Sequence, residues 1–322
     1  MCGPLSRPPR GAVLPSSVSF SKIFKAYKEA RGSGAQDVPR LCVVGAGAEH
    51  VRVVDVLSTG ADEVQGGARA VLDAVHPSEF ARLSLSPDSW DIVVFVAAGM
   101  ASRETYQLVS AARKSGSRVI ALVGAREAGA WARAAGFAGD EVARSLGAEE
   151  SARPTLENRL VRAADHRAVS LAVHLPVVRR AYCDHVILAN AKQNGVIGAV
   201  VIIPGADMPA MTANQIRMVL QVAAAYGEEI GSDRALEILS VVGSAFAFRA
   251  LARQALFFVP GFGWVLKGAI GFSATLALGR AAIAYFEAGA PLQVSHMKRI
   301  EHQVERARNR LPGFVQRHMA AR

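Results

Sequence analysis

Three runs of consecutive apolar residues constrain this chain more than anything else in it: Leu41-Cys-Val-Val44, Ile92-Val-Val-Phe-Val96 and the Val119-Ile-Ala-Leu-Val123 part of a segment that opens at Arg118. A strand with one wet face alternates apolar and polar residues, whereas a strand covered on both faces is apolar throughout. Runs this continuous, separated by helical patterns at Glu49 to Leu57 and Thr105 to Lys114, predict a small parallel sheet with helices on both faces. Gly124 to about Pro154 is rich in Ala, Gly and Glu and is expected to be helical, closing an α/β domain over residues 38–154.

Leu156 to about Gly289 follows a different pattern, with long helical stretches of Ala, Val, Leu and Ile and no alternation. Two Pro-Gly steps punctuate it, Pro204-Gly205 after Val200-Val-Ile-Ile203 and Pro260-Gly261 after Leu256-Phe-Phe-Val259. Each step stops a helix and precedes another. The predicted fold class is thus α/β plus all-α: a parallel-sheet domain, then an apolar helical domain over residues 155–290 with two Pro-Gly-broken hydrophobic segments. Residues 1–37 are expected to be a disordered Pro-rich segment followed by a basic amphipathic helix from Ser17 to Arg31, and residues 291–322 a basic C-terminal helix.

Charge is concentrated at the ends. The chain has 37 Lys and Arg against 27 Asp and Glu, a net +10. Residues 1–40 carry seven basic and two acidic residues and residues 291–322 the same, so the 250 residues between them are neutral. Such ends suit an anionic membrane surface, at about 1 kcal/mol per cation near it. They also suit a soluble scaffold that binds protein or nucleic acid, but no aromatic-interleaved basic motif favours nucleic acid. No apolar signal core stands near the N-terminus, which places the expected location on the cytoplasmic side. Cys2, Cys42 and Cys183 are scattered without a Cys-x-x-Cys, and the histidines lack a His-Glu-x-x-His, so no metal site is expected.

The strand–turn–helix at 41–57 invites a nucleotide reading. A phosphate loop needs G-x-x-x-x-G-K-[S/T], in which Lys reaches the phosphates and the hydroxyl holds Mg²⁺. Gly45-Ala-Gly47-Ala-Glu49-His50 has neither, and places a carboxylate beside the turn. The dinucleotide fingerprint G-x-G-x-x-G matches at Gly45 and Gly47, with His50 replacing the third glycine. Gly45 and Gly47 are therefore the cofactor-binding candidates, of a dinucleotide-using α/β enzyme, against an ordinary tight turn. After Val123 the chain reads Gly124-Ala125-Arg126 where a guanine-reading Asn-Lys-x-Asp would stand, and no Asp-x-x-Gly precedes Ile92. Phosphate grip, metal ligands and base recognition are missing together, so no catalytic residue and no cofactor is assigned.

The stretch Ile202-Ile-Pro-Gly-Ala-Asp207-Met-Pro-Ala-Met-Thr212-Ala-Asn-Gln215-Ile-Arg217-Met218, with Ala224-Ala-Tyr226-Gly227 after it, resembles the YcjF-like domain of unknown function. Val259-Pro-Gly261-Phe-Gly263 through Tyr285-Phe286 resembles that domain's second half. The resemblance implies membrane association and coupling to an Era- or septin-like GTPase domain, here degenerate, in a bacterial protein. Within the stretch, Asp207 is a helix-start signal and Thr212-x-x-Gln215 reads as a capping box. Gly271, Thr275 and Gly279 recur every four residues and predict a surface that another helix approaches closely.

A membrane span needs about 20 apolar residues. Residues 193–206 are fourteen without a charge, and 254–279 hold Lys267 alone. An apolar hairpin around Pro204, Gly205 and Asp207 or around Pro260 and Gly261 stands beside the alternative of a buried soluble core. The expected function is non-catalytic: a pseudo-GTPase domain coupled to a membrane-interacting helical domain at the cytoplasmic face of the bacterial membrane, or in the cytoplasm if the helices form a soluble bundle. Expected partners are the anionic membrane surface, a second copy, or a GTPase or other protein.

Overall fold

The computed structural model describes residues 37–61, 71–83, 90–97, 102–124, 128–144, 153–200, 208–228 and 263–288. The amphipathic N-terminal segment, Arg126, Pro204, Gly205, Asp207, Pro260, Gly261 and the basic C-terminal helix lie outside the described residues.

The chain forms β1 (Leu41–Val44), α1 (Gly47–Ser58), β2 (Leu72–Val75), α2 (Pro77–Leu83), β3 (Ile92–Val96), α3 (Ser102–Lys114), β4 (Arg118–Val123), α4 (Ala128–Ala134) and β5 (Val142–Arg144). Helices α5 (Arg153–Ala164), α6 (Ala168–His174), α7 (Pro176–Val200), α8 (Met208–Ala225) and α9 (Gly263–Glu287) follow, with one 3₁₀ turn at Asp165–Arg167 between α5 and α6. All strand pairings are parallel, in the order β2-β1-β3-β4-β5. That order is doubly wound, and it reverses direction between β1 and β3.

The three apolar runs are the central strands, and their residues divide by parity as a pleated sheet requires. Leu41, Val43, Ile92, Val94, Val96, Ile120 and Leu122 face one core, and Cys42, Val44, Val93, Phe95, Val119 and Ala121 the other. The second core is closed by α2, α3 and α4 through Phe80, Leu108, Val109, Ala112 and Ala132, with Phe80 edge-on to Phe95 at 5.6 Å. The first contains Val53 and Leu57 of α1, Leu156 and Leu160 of α5, then residues of α6, α7, α8 and α9 as far as Ile283. One continuous apolar core therefore joins the sheet to the helical bundle.

The expectation of helix from Gly124 to Pro154 is corrected. Among the described residues α4 covers only Ala128–Ala134, and β5 follows. β2 has no strand signature in the sequence, because Asp73 interrupts its apolar run. That carboxylate accepts from Trp90 Nε1 and from Arg40 Nη2, the latter at 3.3 Å, which makes it tolerable on an edge strand.

The lower end of the sheet is tied to the helices by charge. Arg167, only 20% exposed, reaches Asp91 at 2.8 Å and Asp37 at 3.5 Å, while Asp91 also accepts from the Arg40 amide at 2.8 Å.

Candidate functional site

Two places merit a site's scrutiny, and the first is the reversal point of the sheet, where ligands of doubly wound folds bind beyond the strands' carboxyl ends. Gly45 and Gly47 stand there. Gly47 has φ +79°, a conformation that favours glycine. A Cβ on Gly45 would lie 2.9 Å from Val96 Cβ and 3.2 Å from the His50 ring, so only glycine fits between the ends of β1 and β3. Turn geometry and close packing thus account for both glycines. His50 Nε2 lies 3.1 Å from the Val43 carbonyl oxygen, so the imidazole occupies the helix–strand gap that a third glycine would leave. Glu49 sits in the first turn of α1, with Oε1 buried and unbonded among the described residues. Burial raises its pKa, partly offset by Arg52. An ionised carboxylate on this turn repels a phosphate instead of gripping it.

The second place is the helical bundle. Helices α7 and α9 pack antiparallel: Gly195 meets Gly268 and Phe272, Asn194 meets Gly271, Ile187 meets Gly279, and Arg180 meets Glu287. A Cβ would lie 2.6 Å from the Asn194 carbonyl oxygen at Gly271, and 2.5 Å from Ile187 Cγ1 at Gly279. Between these glycines Thr275 is fully buried. Its hydroxyl donates to the Gly271 carbonyl at 2.8 Å and accepts from Asn194 Nδ2 at 2.8 Å and Gln215 Nε2 at 3.1 Å. Asn214 Nδ2 donates to Asn194 Oδ1 at 3.0 Å and to the Asn190 carbonyl at 3.2 Å. This buried polar layer links α7, α8 and α9 in an otherwise apolar bundle, and it includes Asn190, Asn194 and Asn214, which the sequence reading passed over. The spacing of Asn190 and Asn194, four apart on an apolar helix, is the signal that was there to find.

The capping-box reading is corrected here. α8 begins at Met208, so Thr212 stands inside the helix and is exposed, and Gln215 turns to Thr275 instead of to a helix end.

At the sheet-side end of the bundle, the Arg179 guanidinium lies 5.0 Å over the Tyr226 ring, and Tyr226 stacks on Phe286. Arg180 bridges Asp184 and Glu287. Burial pushes the neighbouring Cys183 thiol up to about 12, helped by Asp184, so it is an inert packed group. Asp184 and His185 are exposed while Cys183 is buried, and the three do not converge.

The opposite end, here called the pole, differs. α7 ends at Val200, α8 begins at Met208 and α9 begins at Gly263, so these three termini share one end of the bundle. Val196 and Val200 are 62% and 68% exposed there. An open groove of about 560 Å³ runs between α7 and α8, with Lys192 and Arg217 among its lining residues. Among the described residues one helical stretch, Gly268–Glu287, is long and apolar enough to cross a membrane, and a third of it is buried. Its Leu278, Ala282 and Ile283 belong to the core shared with the sheet.

No curated protein and no solved structure matches this chain. A family-model match begins at the last residue of α5, takes in the 202–227 stretch on which the YcjF-like resemblance rests, and ends before α9. Over residues 164–256 the chain matches the family model of a domain of unknown function (DUF697), and its helical region is similar to that domain.

Proposed function

We propose that this chain is a non-catalytic, membrane-associated protein in which a pseudo-GTPase α/β layer carries a helical bundle to the cytoplasmic face of an anionic membrane. Scaffolding or regulation of a partner at that surface is its role. One observation carries the reading: both apolar Pro-Gly segments join the bundle at the same pole. Residues 201–207, with Pro204-Gly205, connect Val200 to Met208, and the run from Leu256 through Pro260-Gly261 leads into Gly263. Val196 and Val200 are exposed at that pole. Apolar surface gathered at one end of a bundle, flanked by cations, favours partial burial at a bilayer interface.

The α/β layer supports the non-catalytic half of the reading. Its turn at Gly45 is closed by His50 and carries Glu49 where phosphate charge would need cations. Thermal-shift titration with GTP, NAD(P) or FAD is expected to leave the melting temperature unchanged, and a saturable stabilisation by any of them would overturn this half.

Vesicle flotation tests the membrane half. The full chain is expected to float with phosphatidylcholine vesicles containing phosphatidylglycerol, and Val196→Asp with Val200→Asp is expected to abolish flotation without unfolding the chain. A wild-type chain that stays at the bottom of the gradient with every vesicle refutes membrane association.

A further inference from the structure

The groove between α7 and α8 has a composition that the fold does not require. It is lined by the apolar Val196 and Ile197 from α7 and Ala210 and Ala213 from α8, with Gln193 and Asn214 among them and one cation from each helix, Lys192 and Arg217. Among the described residues no carboxylate lines it and neither cation is paired with one. Both side chains are exposed and set on facing helices, so the two positive charges border one cleft.

Their height along the bundle fixes which chemistry they meet. At 1.5 Å per residue, Lys192 lies about 12 Å from the α7 terminus at Val200, and Arg217 about 13 Å from the α8 terminus at Met208. The two cations thus share one level. Val196 lies between that level and the pole, about 6 Å from the α7 terminus. An amphipathic surface element settles about 5–10 Å into the boundary between headgroups and acyl chains. With the pole immersed to that depth, Val196 and Val200 reach acyl chains while Lys192 and Arg217 stand level with the phosphates.

Resting on the membrane reading above, we propose that this groove binds a single anionic phospholipid. Lys192 and Arg217 hold its phosphodiester, and an acyl chain lies along Val196, Ile197, Ala210 and Ala213. The order of groups along the groove, cations away from the pole and apolar residues towards it, matches the order of groups in a lipid whose tails point into the bilayer. Basic pockets between helices near a membrane surface recognise phosphate headgroups in this way. An Arg fork and a Lys point charge together take a phosphodiester's two free oxygens.

The test compares two double variants of the full chain by flotation on phosphatidylcholine vesicles with and without phosphatidylglycerol. Lys192→Gln with Arg217→Gln neutralises the groove. Arg103→Gln with Lys114→Gln removes the same charge from exposed positions on α3, which packs on the opposite face of the sheet. The groove variant is expected to lose affinity for the anionic vesicles by about 5-fold per cation and about 30-fold in all. The remote variant is expected to change by about 2-fold or less, since the sheet stands between α3 and the groove. Phosphatidylglycerol bearing a diazirine in its acyl chain is expected to crosslink to peptides containing Val196 or Ala210–Ala213 in the wild type and the remote variant, and to lose those crosslinks in the groove variant. Equal losses in the two variants, or crosslinks indifferent to Lys192 and Arg217, would overturn the lipid site and leave the membrane reading intact. A wild-type chain that floats with no vesicle defeats both.

Discussion

Gly271→Ala puts the close approach of α7 and α9 to a quantitative test. By propensity alone, replacing glycine with alanine inside a helix stabilises it by about 1 kcal/mol. Here the added methyl would lie 2.6 Å from the Asn194 carbonyl oxygen and 2.6 Å from Met211 Cε. A carbon–oxygen contact settles near about 3.3 Å, so α9 must retreat from α7 by roughly 0.7 Å. Met211 can swing away, but the Asn194 carbonyl is backbone in the middle of a 25-residue helix. A retreat of that size would stretch the 2.8 Å bond from Asn194 to Thr275 to the limit of hydrogen bonding, in a site that no water reaches.

The magnitude follows from three terms. Overpacking costs about 1–3 kcal/mol, weakening two buried hydrogen bonds adds about 2, and helix propensity returns about 1. The net is a loss of about 2–4 kcal/mol, a large share of the 5–15 typical of a domain. Gly195→Ala is the internal control: its methyl would meet Phe272 Cβ at 3.3 Å and the Gly268 carbonyl at 3.4 Å, distances that a few tenths of an ångström relieve. It is expected to stay within about 1 kcal/mol of wild type. Urea unfolding followed by circular dichroism measures both. If Gly271→Ala is neutral or stabilising, propensity alone governs this position and the tight seam is wrong.

Other elements give further expectations. Thr275→Val leaves Gln215 Nε2 without its acceptor and Asn194 Nδ2 with only Met211 O at 3.3 Å, and should cost about 1–3 kcal/mol, whereas Thr275→Ser should recover most of that in the same melts. Arg167→Met removes the partner of Asp91 and Asp37 at the junction of sheet and bundle, and an unfolding loss near 2 kcal/mol is expected, between the values for exposed and buried pairs. A loss under about 0.5 would show that the bridge does not join the two parts. Glu49→Gln should alter the pH dependence of stability. Burial raises the folded pKa of Glu49, so its protonated form favours the native state and that stability is lost as pH rises from the ordinary carboxylate value, about 4.3, through the folded value. The variant should match wild type in acid and exceed it at neutral pH by no more than about 1 kcal/mol, because the Glu49 side chain is only partly buried. Identical pH profiles would place Glu49 in water.

The parts of the fold legible in sequence are those where one physical demand dominates. β1, β3 and β4 are covered on both faces, so their apolar runs had no competing reading. The edges resisted: β2 carries Asp73, and β5 has three residues, Val142–Arg144, of which Ala143 is buried in the core. An edge strand needs only one covered face, so its pattern dissolves into that of a turn. The recurrence of Gly271, Thr275 and Gly279 is readable from the chain, yet what they meet is not, because Asn194 and Ile187 lie on a helix far away in sequence. The polar layer was hidden for the same reason, since its members lie on three helices and Gln215 has a ready local reading in a capping box. The helices' share in the sheet's core left no trace in local patterns at all.

Helix α7 shows why the pole is the place to look for function. Its first half is governed by folding: Val178, Cys183 and Ile187 are buried in the core that also holds Leu41 and Ile92, and Pro176 lies against Gly60 just beyond α1. Its second half is divided. Asn190, Asn194 and Gly195 face α8 and α9, while another face of the same helix presents Lys192 to the groove and, nearer the pole, exposes Val196 and Val200. Val196 and Val200 stand one turn apart on one face of the helix and so form a small contiguous apolar surface, unlike the singly exposed Val51, Leu83 and Tyr106 elsewhere. The two halves should therefore respond oppositely to substitution. Val178→Ala, which hollows the shared core, should cost about 2 kcal/mol of stability and leave vesicle binding of the folded protein unchanged. Val196→Asp, at a position already in solvent, should unfold at the same denaturant concentration as wild type within about 0.5 kcal/mol and lose binding. If Val196→Asp destabilises the chain as much as Val178→Ala, then Val196 belongs to a core and the pole is not a free surface.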